Sequence, residues 1–292
     1  MKIHEYQAKE ILRTYGMVTP DGVVGDDVDA LVSGSKKLGF PLIVKAQIHV
    51  GGRGKAGAIR VVSNLEELRK GASEILSMTV KGLKVKKVLV EKALDIKRQF
   101  YLGIIVDRSR QTNAMVVSAD GGVDIEETAK SSPERISRVF LRDVHKIEEQ
   151  DLRGLISFLE LDGSLAGRFA GTVNALFAAY VKTDAQLAEI NPLVLTQDDQ
   201  LIACDAKMII DDNALFRHQD LSALKEDAED NELEREAHRR NLAYVKLSGN
   251  IGVIGNGAGL VMATMDEVKR AGGRPANFLD IIVSILVPVY TG

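Results

Sequence analysis

The sequence predicts a mixed α/β fold in two parts, and three observations point to it. Short β-branched runs alternate with stretches of helical period along most of the chain. The apolar run Pro41–Ile48 breaks into a glycine-rich segment, so that Val44 to Gly57 reads VKAQIHVGGRGKAG. A charge-dense connector, Asp220 to Asn241, then separates a long first part from a short second one, which puts the division at 1–238 and 239–292.

The elements follow in order. Ile3 to Tyr15 carries apolar residues at Ile3, Ala8, Ile11, Leu12 and Tyr15 and stops at Gly16, the pattern of an amphipathic helix. A second helix is expected over Asp27–Leu38, ending at Gly39. Ser63-Asn64-Leu65-Glu66 reads as a capping box that opens a helix to about Ser77. Val85–Leu94 is a strand containing Glu91, and Phe100–Asp107 with Ala114–Ser118 form a hairpin. Helices are expected at Asp151–Leu161 and Ser164–Val181, and a second hairpin at Gln186–Thr196 and Leu201–Ile210. Beyond the connector, Leu242–Leu247 and Asn250–Ile254 are strand-like. The turn Gly255–Gly259 opens a helix over Leu260–Ala271, and Asn277 resumes toward a strand. An apolar tail, Ile281–Gly292, ends the chain.

Composition excludes several classes. The 38 basic and 41 acidic residues give a net charge of −3, which argues against general nucleic-acid binding. The one cysteine, Cys204, allows no internal disulfide, suits a reducing cytosol and sits among apolar neighbours as a core thiol. The N-terminus has no apolar segment of the signal-peptide kind, and no stretch reaches the ~18 apolar residues that span a bilayer.

The glycine segment carries the chemistry. Gly51, Gly52, Gly54 and Gly57 let backbone N–H groups approach an anion closely, and Lys45, Arg53 and Lys55 add three cations at the same place. A nucleotide polyphosphate is the natural guest. Gly52 to Gly57 also satisfies G-x-G-x-x-G, yet a dinucleotide site needs that pattern to open a helix, and the alternating Ala58–Val62 follows instead. No G-K-[ST] closes the run, so a strand–loop–strand lid is expected. In the second hairpin, a loop at Gln197-Asp198-Asp199 pairs Thr196 with Gln200 and sets Asn191 opposite Asp205, with Glu189 on the same face. Such oxygen ligands suit Mg²⁺, which takes one or two protein groups and fills its shell with water and phosphate. A plain surface turn and a polar hairpin face are the bland readings of the same residues; their coincidence favours the metal.

Several blocks resemble the β subunit of succinyl-CoA synthetase (succinate–CoA ligase). They are His4–Lys9, Lys45–Gly57, Gly121–Glu127, Glu189–Val194, Asp212–Arg217, Gly249–Gly252, Asn256–Leu260 and Pro275–Asp280, and the likeness runs from residue 1 to about 280. Met78–Leu83 is similar to the thermophile-type members, which lack a longer loop there. The resemblance implies an ATP-grasp domain followed by a flavodoxin-like CoA-ligase domain. The latter is incomplete here, because the family continues after Asp280 with a glycine-rich loop and roughly one further domain's worth of chain.

It also implies an acid–thiol ligase of the tricarboxylic acid cycle that couples a nucleoside triphosphate to succinyl-CoA interconversion. The nucleotide is ATP/ADP, toward which Pro20 and its neutral surroundings lean, with GTP/GDP as the alternative. An α-subunit partner would carry the phosphohistidine, so no histidine of this chain need be catalytic. The assembly would be α2β2 or αβ, cytoplasmic, with succinate and CoA as the other small molecules and neither nucleic acid nor membrane as partner. By matching position, Lys45, Gly52, Arg53 and Gly54 would hold the phosphates, and Glu91 and the Leu94 backbone would line the nucleotide pocket. Gln99 stands there where many relatives carry an acid. Asn191 and Asp205 would bind Mg²⁺, and Asn256 would contact substrate. A malate–CoA ligase β subunit shares these blocks, and a shortened paralogue that binds nucleotide without turnover is the other alternative.

Overall fold

The computed structural model describes residues 1–142, 146–226, 232–240 and 242–281. The chain begins with α1 (Glu5–Thr14), β1 (Gly22–Gly25), α2 (Val28–Ser35), β2 (Leu42–Gln47), β3 (Ile59–Val62) and α3 (Leu65–Ser77). It continues through β4 (Thr79–Val80), β5 (Leu83–Lys84), β6 (Lys87–Lys92), β7 (Ile96–Asp107), β8 (Thr112–Ser118) and α4 (Ile125–Ser131). There follow β9 (Ile136–Phe140), α5 (Glu149–Phe158), α6 (Gly163–Lys182), β10 (Ala185–Thr196), β11 (Leu201–Ala203), β12 (Ala206–Ile210) and α7 (Gln219–Ser222). The last elements are α8 (Glu232–Arg239), β13 (Ala243–Lys246), α9 (Ala258–Arg270) and β14 (Asn277–Asp280). Beyond Ile281 the expected apolar tail lies outside the described residues.

Two units divide the chain, Met1–Lys225 and Glu226–Gly292, and the division falls inside the charged connector. The first unit holds two sheets. In one, the order is β1-β6-β2-β3, all antiparallel, with Leu31, Leu42, Val44, Leu68, Ile75, Val88 and Val90 packed between it and α2 and α3. In the other, the order is β11-β10-β7-β8-β9 with β12 also on β10, and the core is Phe100, Leu102, Ile104, Met115, Phe169, Val173 and Ile190. The strand–loop–strand reading of the glycine segment holds, since β2 and β3 pair antiparallel with Lys45 opposite Ile59. In β2, Val44 and Ala46 face the helices. The intervening Lys45 and Gln47 point to the opposite face and are also buried, at 2% and 1% exposure.

Three elements differ from expectation for local reasons. The cap of α3 is Asn64, not Ser63: its side chain accepts from Glu67 N at 2.9 Å, and Ser63 N donates to the Glu67 carboxylate at 2.8 Å. The second hairpin keeps the expected register, with Thr196 N on Gln200 O and Asn191 N on Asp205 O, but its return arm breaks into β11 and β12 at Cys204 and Asp205. Pro192 has no N–H to complete the pairing with Cys204 there. In the second unit, 250–254 is not a ladder strand. The Asn277 side chain brackets Val253 instead, accepting from its N–H at 3.1 Å and donating to its carbonyl at 2.7 Å. Strands β13 and β14 pair antiparallel beside α9.

Candidate functional site

The site is built where the two sheets of the first unit meet α1. Lys45 on β2 and Glu91 on β6 lie on one face of their sheet, since Ile43 is opposite Glu91 and Lys45 is opposite Leu89. The Lys45 ammonium donates to Glu5 at 2.9 Å, to Glu91 at 2.8 Å and to the Cys204 carbonyl of the other sheet at 2.7 Å. Those three contacts use all of its donors. Lys9, one turn beyond Glu5 on α1, donates to Glu5 at 2.8 Å and to both Glu91 oxygens at 2.7 Å. Arg53, from the glycine loop, reaches Glu5 Oε2 and the Ala46 carbonyl with one nitrogen and Asp205 Oδ2, at 2.7 Å, with the other. Three cations and three carboxylates thus form one network that ties both sheets to the loop.

Burial makes this network intolerant of losing any one partner, because a buried charge is then left uncompensated. Burial alone would raise the Glu5 carboxyl, but Lys45, Lys9 and Arg53 outweigh it and hold it well below the usual carboxylate range. Burial opposes the Lys45 and Arg53 charges as well, and Glu5, with Glu91 and Asp205, overcomes it and holds both groups above their ordinary values. Glu5, Lys45 and Arg53 are therefore charged at neutral pH.

Above the network the loop offers backbone donors. Gly52 has φ +78°, a left-handed conformation suited to glycine. Ala56, Gly57 and Ala58 donate to the loop's own carbonyls, which fixes its shape. The backbone N–H groups from Gly51 to Lys55 meet no protein acceptor among the described residues. A run of unclaimed amides beside Arg53 and the exposed Lys55 could cradle an anion. Lys81, between β4 and β5, donates to the Gly51 carbonyl at 2.9 Å and props the loop from the far side.

Asn191 and Asp205 flank the cradle. The Asn191 side chain is clamped to the Gly121–Val123 loop: its Oδ1 accepts from Gly122 N at 2.7 Å and its Nδ2 donates to the Val123 carbonyl at 2.8 Å. An amide oxygen has two lone pairs, so one remains. Asp205 keeps one oxygen outside its pair with Arg53. Glu189 lies two residues back on the same strand face; burial pushes its carboxyl up, and Glu126 and Asp205 add to that against Lys207. Among the described residues no cluster of three or more His, Cys, Asp or Glu could hold a metal. One carboxylate and one amide fit an ion that completes its shell with water and phosphate, as Mg²⁺ does.

The structure therefore brings Lys45, Gly52, Arg53, Gly54, Glu91, Asn191 and Asp205 to one place, all in the first unit. Glu91 lies beneath the cradle with its carboxylate taken by Lys9 and Lys45. Leu94 is half-buried just past β6, with its backbone N–H and carbonyl unclaimed among the described residues. Gln99, on β7, is exposed beside the Gly121-Gly122 turn that clamps Asn191; a Cβ at Gly122 would stand 2.8 Å from its amide oxygen. Asn256 is exposed in the second unit, in the turn before α9, where Gly257 N donates to Asp280 at 2.6 Å. Glu5, Lys9 and Lys81 were not foreseen. For the first two a signal existed, because Glu5, Lys9 and Leu12 fall in line on a helix whose apolar stripe faces inward.

Residues 2–195 match the model of the ATP-grasp domain. The chain is 48% identical over 282 residues to the succinate–CoA ligase [GDP-forming] subunit beta of Thermus thermophilus, covering 96% of this chain and 74% of that one. It is 45% identical over 289 residues to the [ADP-forming] subunit beta of Bordetella pertussis, covering 96% and 75%. Among solved structures, ATP citrate lyase from Methanothrix soehngenii superposes with a TM-score of 0.66 at 19% identity, over 96% of this chain and 72% of that one. The dinucleotide-forming acetyl-coenzyme A synthetase 1 of Ca. Korarchaeum cryptofilum gives 0.58 at 18%, over 72% and 93%. Fold, domain model and relatives agree: the chain belongs to the ATP-grasp proteins and, among them, to the succinate–CoA ligase β subunits.

Proposed function

We propose that this β subunit binds a magnesium nucleotide in the cradle of the first unit and uses it to interconvert succinate, CoA and succinyl-CoA together with an α subunit. The observation that carries the reading is Arg53, which spans from buried Glu5 to half-exposed Asp205 directly beside five unclaimed loop amides. Asn191 and Asp205 would hold Mg²⁺, and Gly52, Arg53 and Gly54 would take the phosphates. The Leu94 backbone, with Gln99 near the Asn191 clamp, would serve the rest of the nucleotide. The ion, when bound, neutralises charge on the phosphate oxygens.

The chain's own part is positioning. Phosphoryl transfer needs little covalent help from the protein and is served by fixed positive charge at the oxygens that gain it. Here that charge is assembled in advance. A phosphate in the cradle would meet the loop amides and the outer nitrogen of Arg53, and Asp205 would be one of the residues that hold the metal. Lys45 joins by exchanging its bond to the Cys204 carbonyl. As the family resemblance implies, the phosphohistidine would lie on the α subunit, so no histidine of this chain need enter the scheme. ADP is the assigned nucleotide, Asn256 the substrate contact in the second unit, and the cytoplasm the place of action. Among the described residues no helix is long and apolar enough to cross a membrane.

The test is succinyl-CoA formation by the full chain mixed with the α subunit of a relative. Wild type should turn over, and Asp205→Ala should lose about 3 kcal/mol of transition-state stabilisation, a factor on the order of a hundred. Near-normal turnover of that variant would refute the metal assignment.

A further inference from the structure

The two buried charged residues of α1, Glu5 and Lys9, have no place in the reading above except beneath it, and the geometry there is unusually complete. Lys9 and Glu5 are buried, and their charged atoms are taken up by one another and by Glu91, Lys45 and Arg53. Glu5 divides its two oxygens among every cation of the network: Oε1 takes Lys9 and Lys45, and Oε2 takes Arg53. Lys9 holds Glu5 on one side and both oxygens of Glu91 on the other. Gly22 leaves room for this, since a Cβ there would stand 2.8 Å from the Glu91 side chain.

The charge count explains why such an arrangement is needed. Lys45 and Arg53 are two like charges held close together in a buried place before any phosphate arrives. Glu5 is their shared counter-charge. Glu91 is the second carboxylate on Lys45, and Lys9 balances the pair of acids. Without Asp205 the inner group is three cations against two carboxylates, a net charge of +1. Asp205, at the rim, cancels that charge.

We propose that Glu5 and Lys9 are positioning residues for nucleotide binding: they set where the Lys45 and Arg53 charges stand, so that phosphate affinity depends on two side chains that never meet the phosphate. This rests on the nucleotide reading given above. Arg53 stays at the rim because Glu5 anchors its inner nitrogen. Lys45 stays on the phosphate side because Glu5 and Glu91 hold two of its three donors there.

The variants Glu5→Gln, Lys9→Met and the double variant separate positioning from mere support of the fold. Each single change leaves one buried charge uncompensated and lowers the melting temperature. The double change removes one charge of each sign, so most of the melting temperature returns. Mg-ADP affinity, measured by calorimetry well below the melting point, should stay weakened by about tenfold to a hundredfold in the double variant, because Lys45 and Arg53 have lost their shared anchor.

Wild-type affinity in the double variant overturns the proposal while leaving the nucleotide site standing. Failure of the wild-type chain to bind Mg-ADP at all sinks the underlying reading instead. Should the variants not fold, NMR of the lysine ammonium groups in wild type decides. The Lys9 signal should exchange slowly and stay in place on adding Mg-ADP, while the Lys45 signal moves. A fast-exchanging Lys9 or an unmoved Lys45 overturns the proposal.

Discussion

Arg53 and Glu91 show why residue type and residue role differ at this site. Both stand in positions the sequence marks as nucleotide-facing, yet only Arg53 presents a group to the open side. Glu91 faces inward at 1% exposure and acts on Lys9 and Lys45. Its carboxylate depends on a glycine across the sheet, because a Cβ at Gly22 would also meet the Val90 carbonyl at 2.9 Å. Gly22→Ala should therefore cost about 1–3 kcal/mol by overpacking. It should also weaken Mg-ADP binding as Glu91 shifts on Lys45; thermal melts and calorimetry on one preparation check both. Single residues were legible where their chemistry sits on a loop or a hairpin, as with Arg53, Asn191 and Asp205. Glu5 and Lys9 carried only the weak signal of falling in line with Leu12 on α1, and the opposing sheet is what shows their partners.

Elements supply the registers that aim those residues. The hairpin of β10 with β11 and β12 was readable from the three-residue loop at Gln197–Asp199, and the observed pairing puts Asn191 on Asp205 as that loop requires. The break at Cys204 was not readable, since it follows from how Pro192 enters the pairing. The segment 250–254 misled for another reason: its apolar alternation suits a strand, but the Asn277 side chain takes the bonds a neighbouring strand would make.

The lower end of the same β10 region is fastened by Asp184, just after α6. It accepts from Arg217 Nε and Nη2 at 2.7 Å and pairs with His218 at 2.6 Å. The hydrogen bond from Arg217, then that from His218, holds the Asp184 carboxyl at about 2, below its ordinary 3.8. A carboxyl depressed in the folded state stabilises fully above the unfolded value and loses that contribution as pH falls toward about 2. Acid titration of Asp184→Ala should show this loss absent between pH about 4 and 2. At pH 7 the variant should cost at most about 1 kcal/mol, because the cluster is partly open to water.

At the scale of the molecule, the first unit carries the whole charge network and the second unit carries Asn256 on its own turn. The order of elements and the place of the glycine loop were legible because hydrophobic period and glycine spacing encode them locally. The charge network was not, because it joins residues 5, 9, 45, 53, 91 and 205, and only the folded chain brings them together. The proposed function would give those residues a common purpose, the holding of a nucleotide before reaction.

The most direct test is calorimetric titration of ADP into the full wild-type chain with and without Mg²⁺, repeated on Arg53→Ala and Asp205→Ala. The account predicts one site per chain in the presence of Mg²⁺. It predicts marked weakening when the ion is withheld or when either residue is removed. Binding of equal strength in all six cases, or no binding in any, would contradict it.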